Sequence, residues 1–176
     1  MILIYAFSNH WGTNVSHRTL IELENLPFFK GRSPEGERDF DFELIQGYPH
    51  VFFRKHIEYN NYSLIIGLGD GSKYGDKIKI ETQAKNAYND KEIYQFSPIF
   101  LDLNLPNVDI YDSHYFQISS NMGTYNCNWL AYKTQLYLNQ RSPETKHIFL
   151  HLPQKSNAHI LAINIANLFN DNQMLQ

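Results

Sequence analysis

At 176 residues and a formal charge of -3, the chain is long enough for one sizeable core over 1–176, and the absence of any basic run argues against nucleic acid as its main partner. Its one cysteine cannot make an internal disulfide, so a reducing, cytoplasmic setting is expected. The apolar start, Met1 to Phe7, is too short for a membrane span and has no basic lead-in, so neither an anchor nor a signal peptide is expected.

Ile2 to Phe7 is predicted as a buried strand: short, apolar and stopped by Ser8-Asn9. After a polar turn through Asn14, Leu20 and Leu23 fall on a helix that ends before Pro27. Strand, polar turn and helix make the first half of a βαβ unit, and such turns lie where α/β sheets hold ligands. Lys30 to Arg38 is charged and broken by glycine and proline, which predicts a solvent loop. Phe40, Phe42 and Leu44 alternate with acidic residues as a half-buried strand would. A short helix is expected from Val51. Tyr62 to Gly67 is the next buried strand, running into a glycine loop at Leu68-Gly69-Asp70-Gly71.

Lys77 to Glu81 alternates again, with Ile78 and Ile80 on one side and Glu81 on the other. Glu81 is read two ways: a solvated residue beside lysines, or a buried carboxylate with a task. Ala84 to Asp90 reads as short helix or loop, Ile93 to Asn107 has no assignable pattern, and Tyr115 to Ile118 reads as a strand. Ser119-Ser-Asn-Met-Gly-Thr-Tyr-Asn-Cys-Asn128 then leads into a helix that reaches Gln140. Ser120, Asn121 or Thr124 are candidate caps, and Gly123 suits a tight turn. Cys127 would sit in the first turn, where free amides and the helix dipole favour an anion and ease ionisation. The plainer alternative is a lone cysteine acting as a small hydrophobe. Lys146 to Pro153 is the last buried strand, with His147, Phe149 and His151 on one face and His151 at the ligand-side end. Asn157 caps a final amphipathic helix, and Asp171 to Gln176 is expected to fray.

Cysteine, histidine and carboxylate together make a candidate nucleophile, base and orienter. Ser119 to Tyr132 resembles the cysteine motif of the pyroglutamyl peptidase I (pyrrolidone-carboxylate peptidase) family, Ser-x-x-Ala-Gly-x-Tyr-x-Cys-Asn-x-x-x-Tyr. Phe149-Leu-His-Leu-Pro153 is similar to its Phe-Ile-His-x-Pro, and Glu81-Thr-Gln-Ala-Lys-Asn86 to its Glu-Arg-x-Ala-x-Asn. The three occur in the family's order, and the resemblance spans nearly the whole chain. The resemblance implies a three-layer α/β/α sandwich around a mixed, mostly parallel sheet. It makes Cys127 the nucleophile, His151 the base and Glu81 the orienter of a cytoplasmic cysteine peptidase. That peptidase would remove N-terminal pyroglutamate from small peptides, without metal or cofactor, as a homodimer or homotetramer.

The substrate side departs from the family. Its opening turn is Gly-Phe-x-Pro-Phe-Gly-Gly, whereas here His10 replaces the second phenylalanine and Asn9 the proline. Ser72, beside Lys73, stands where an arginine ends the family's glycine loop, Thr82 replaces the arginine after the glutamate, and Met122 replaces alanine. A lactam needs an apolar slot with few polar contacts, and Phe7, His10, Leu68, Tyr125 and Asn126 are the candidates for it. Two further readings follow: a cysteine amidase or peptidase for another small acyl group, and a catalytically inactive binding protein on the same fold. No closely spaced metal-ligand cluster is visible along the chain.

Overall fold

The computed structural model describes residues 1–30, 39–71, 73, 75–106 and 114–171. Most of the expected 30–38 loop, Ser72 and the tail after 171 lie outside the described residues. In chain order the elements are β1 (Ile2–Phe7), α1 (Val15–Asn25), β2 (Phe40–Ile45), α2 (Pro49–Phe52), β3 (Leu64–Asp70) and β4 (Ile78–Glu81). Then come β5 (Gln83–Lys85), β6 (Phe100–Asp102), β7 (Phe116–Ser119), α3 (Asn126–Arg141), β8 (Lys146–Leu152) and α4 (Ala158–Asp171).

Six strands form one sheet in the order β2-β1-β3-β8-β4-β7. Every pairing is parallel except β4 against β8. Apolar runs such as Ile2 to Ala6 are buried throughout because helices cover both faces of the sheet. Strand alternation sorts their side chains between two layers. Ile4, Ala6, Ile66, Leu68, Ile80 and Leu150 pack with Leu20 and Leu23 of α1 and Leu161, Ile165 and Phe169 of α4. Leu3, Tyr5, Ile65 and Phe149 pack on the other side with Phe52, Phe53, and Leu130, Tyr132 and Leu138 of α3. The architecture is a three-layer α/β/α sandwich with a mixed, mostly parallel sheet. No helix among the described residues is long and apolar enough to cross a membrane.

Four local readings change. The helix expected from Val51 begins two residues earlier, at Pro49, because proline suits a first helical turn, and it runs on into a π turn at Phe53–Ile57. The expected glycine loop belongs largely to β3, which continues to Asp70. Gly67 is needed there for space: a Cβ would lie 2.5 Å from Phe149 and 2.6 Å from the Tyr5 hydroxyl. β5 and β6 pair as a small antiparallel sheet, in segments the pattern left as helix or loop or unassigned. Buried Asn86 shapes the connection, its Oδ1 accepting from the Ile93 and Tyr94 amides at 3.1 and 2.9 Å. Finally, Ser120, Asn121 and Thr124 do not cap α3. Its N-cap is Tyr125, with no side-chain cap bond, while Asn121 Oδ1 accepts from the Gly123 amide inside the preceding turn. Gly123 takes the expected left-handed turn at φ 79°.

Candidate active site

β3 and β8 pair in a register that sets Gly69 beside His151, and the first turn of α3 lies over them. A Cβ on Gly69 would stand 2.9 Å from Cys127 Sγ, 3.1 Å from His151 Cδ2 and 3.0 Å from Phe149 Cε1. Sulfur and imidazole therefore border the same small space, one that glycine alone leaves clear. No hydrogen bond joins them among the described residues. Glu81 faces Phe149 across β4 and β8, which makes it the diagonal neighbour of His151 on the same face. Its Oε1 lies 2.8 Å from His151 Nδ1, and its side chain is fully buried. With Nδ1 against Glu81, it is Cδ2 on the far side of the ring that borders the space beside the sulfur. The solvated reading of Glu81 is thus excluded.

Asn128, next to the cysteine, fixes α3 in place. Its Oδ1 accepts from the Lys85 amide at 2.7 Å, and its Nδ2 donates to the Lys85 and Ala87 carbonyls at 2.8 and 2.7 Å. This buried side chain couples the helix start to the segment that follows Glu81. The motif held Asn86 and Asn128, but their structural tasks depend on contacts distant in sequence. Gly69 and Asp70 lie in the Gly67-to-Gly71 stretch, whose backbone the sequence offers as a ligand-side and oxyanion candidate; the Asp70 carboxylate acting on the thiol is what the sequence did not show.

The thiol does not follow the ionisation expected at a helix start. It is pushed up to about 12: burial is the largest cause, the Asp70 carboxylate adds to it, its own backbone amide pulls the other way, and Glu81 adds a smaller rise. The helix-end field is worth only about 0.3–1 kcal/mol, so desolvation wins. Asp70 is itself tied to the start of α1, with Oδ1 accepting from the Ser16 amide at 3.0 Å and its hydroxyl at 2.7 Å.

The candidate slot residues separate. Phe7 is half-buried and packs on Phe149, ring centroids 6.4 Å apart. Asn126, the residue before Cys127, lines a cleft with Tyr48, Tyr88 and Trp129. Tyr125 is exposed at the mouth of the helix, and His10 is exposed on the opening turn, where its ring meets Trp11 edge-on at 5.0 Å. Leu68 is a correction: it is fully buried in the α1/α4 layer, because one step along a strand reverses the face, so its side chain points away from Cys127. The fold also assembles a group the sequence did not reveal. Asp41, Glu43 and His56 bring ligand-type atoms within 4.8 Å of one another. Within it His56 Nδ1 lies 3.2 Å from Glu43 Oε1, and Asp41 Oδ2 accepts from the Tyr62 hydroxyl at 3.2 Å. None of Cys127, His151 and Glu81 belongs to it.

These features define an α/β/α protein with cysteine, histidine and glutamate gathered at one rim of its sheet. No protein-family model matches the chain, and no curated protein matches it in sequence. Solved structures do match. Pyroglutamyl peptidase I of Bacillus amyloliquefaciens superposes with a TM-score of 0.72 at 20% identity, over 95% of this chain and 94% of that one. Pyrrolidone carboxyl peptidase of Thermococcus litoralis gives 0.68 at 19%, over 98% and 94%. The Thermus thermophilus enzyme of the same name gives 0.70 at 17%, over 96% and 98%. At these identities the likeness establishes the fold: the chain is built like the pyroglutamyl peptidases.

Proposed function

We propose that the protein is a cysteine peptidase that removes an N-terminal pyroglutamyl group from small peptides. One observation carries this reading: Cys127 Sγ and the imidazole of His151 border the space left by Gly69, while buried Glu81 holds the far nitrogen of that imidazole. With the thiol protonated at neutral pH, the proton leaves as attack begins. Sγ bonds to the acyl carbon, and His151 Nε2 takes the thiol proton. Glu81 keeps Nδ1–H pointed at itself and stabilises the imidazolium. His151 then protonates the departing amine, the C–N bond breaks, and water, deprotonated by the same imidazole, hydrolyses the thioester. The first-turn amides of α3, left without a side-chain cap, are suited to the oxyanion, at about 3 kcal/mol per well-placed donor. Phe7, half-buried, offers aromatic surface to a ring with little charge. The mechanism needs a reduced thiol, which fits a cytoplasmic protein, and it calls on no metal or cofactor.

A fluorogenic pyroglutamyl amide tests the reading. Wild type releases the fluorophore and Cys127→Ala does not; equal release by both, or none by wild type, would overturn it. A second reading, a catalytically inactive binding protein, draws on the raised thiol and the carboxylate of Asp70 near it. Slow iodoacetamide labelling of Cys127 joined to tight, unhydrolysed binding of a pyroglutamyl peptide would favour it. Cleavage of another acyl amide in preference to pyroglutamyl would instead favour a related amidase, for which exposed His10 and Trp11 supply the altered substrate side.

A further inference from the structure

Between the turn after β2 and the start of α3 lies a cleft of about 600 Å³. Tyr48, His50, Tyr88, Asn126 and Trp129 form most of its wall, and no Asp, Glu, Lys or Arg lines it. Tyr48 and His50 stack at 5.5 Å and 28°. The Tyr88 hydroxyl donates to Asn126 Oδ1 at 3.0 Å, tying the wall to the residue before Cys127. Single exposed aromatics are ordinary on a protein surface. Here four rings converge on one concavity, and Tyr48 remains 74% exposed within it. The volume falls in the range of roughly 300–1,000 Å³ that suits a drug-sized ligand, far more than a five-membered ring requires.

We propose that this cleft receives the side chain of the residue that follows the scissile bond, and that it selects an aromatic one. The proposal rests on the peptidase reading. Its occupant follows from two facts: the wall of the cleft includes Asn126, the residue that precedes Cys127 in the first turn of α3, and that uncharged, ring-rich wall complements an aromatic group better than a charged one. An extended substrate acylating Cys127 would leave its departing portion beside that same helix turn.

Two tripeptides separate the outcomes, pyroglutamyl-Phe-Ala and pyroglutamyl-Ala-Ala, with cleavage followed by mass spectrometry. Wild type should favour the phenylalanine peptide about 10-fold in kcat/KM, the scale of one good ring contact. Tyr48→Ala should bring that peptide down to the level of the alanine one, and Tyr48→Phe should keep the preference. Equal cleavage of the two peptides by wild type, or a preference that survives in Tyr48→Ala, would overturn the cleft assignment and leave the peptidase reading standing. Cleavage of neither would overturn both.

Discussion

The two faces of the central sheet are made by the same strands and differ in what they tolerate. Toward α1 and α4 the strands present Ile4, Ala6, Ile66, Leu68, Ile80 and Leu150, an apolar layer throughout. Toward α3 the alternate positions carry Tyr5, Gly67, Gly69, Glu81, His147 and His151. On that face the Tyr5 hydroxyl, Glu81 Oε2 and His147 Nε2 are buried with no hydrogen-bond partner among the described residues. Unsatisfied buried polar atoms cost about 1–3 kcal/mol each, so the face with three of them on its strands bears a larger local penalty than the α1/α4 side, where Thr19 Oγ1 of α1 is such an atom. Sites that do chemistry are where such penalties gather.

Substitutions on the two faces should therefore fail differently. On the polar face, Glu81→Gln keeps the shape but no longer holds His151 in its proton-accepting form. We expect kcat to drop roughly 10³-fold with the melting temperature little changed, read by reporter turnover beside calorimetry. On the apolar face, Leu150→Ala should cost about 3 kcal/mol in urea unfolding while the remaining folded protein keeps its turnover per molecule. Loss of turnover without loss of stability in Leu150→Ala would erase the distinction. Gly69→Ala places a methyl 2.9 Å from Cys127 Sγ and 3.1 Å from the imidazole, so the reacting groups must separate. A loss of about 100-fold in kcat/KM is expected, since displacement of about 1 Å has that scale.

The smallest effect is a pH slope. Burial lowers His147 from its ordinary 6.5 to about 3, so it is neutral in the fold, while the unfolded chain takes up a proton below 6.5. Its folded pKa lies below the unfolded one, so its contribution is complete above pH 6.5 and is lost as pH falls toward 3. The slope is about 1.4 kcal/mol per pH unit in that window for one proton. His147→Leu should flatten it in unfolding curves taken between pH 4 and pH 7 (about that span is where most of the change falls); an unchanged slope would show that other groups set it.

Much of this contrast was legible in the chain. Apolar runs at Ile2, Tyr62 and Lys146 marked the inner strands, and period-two alternation put Glu81 opposite Ile80 and His151 opposite Leu150. The cysteine segment announced a turn and a helix, and both formed. What stayed hidden depends on distant packing. Whether β3 stops at Gly67 or runs to Asp70 is decided by its partner β8, which carries the pairing on to Asp70 and Leu152. Thiol acidity was misjudged because local helix geometry is visible in sequence, whereas burial and the carboxylates of Asp70 and Glu81 are brought to Cys127 only by the fold. Asp41, Glu43 and His56 meet for the same reason, through a strand and a π turn that no spacing rule links.

Trapping the covalent step tests the central claim most directly. Wild type mixed with a pyroglutamyl ester and quenched in acid within the first turnover should carry a pyroglutamyl thioester on the peptide containing Cys127, and Cys127→Ser should carry none. Steady release of product from wild type with no adduct on that peptide at any quench time, together with undiminished turnover by Cys127→Ser, would contradict the assignment of the sulfur as nucleophile.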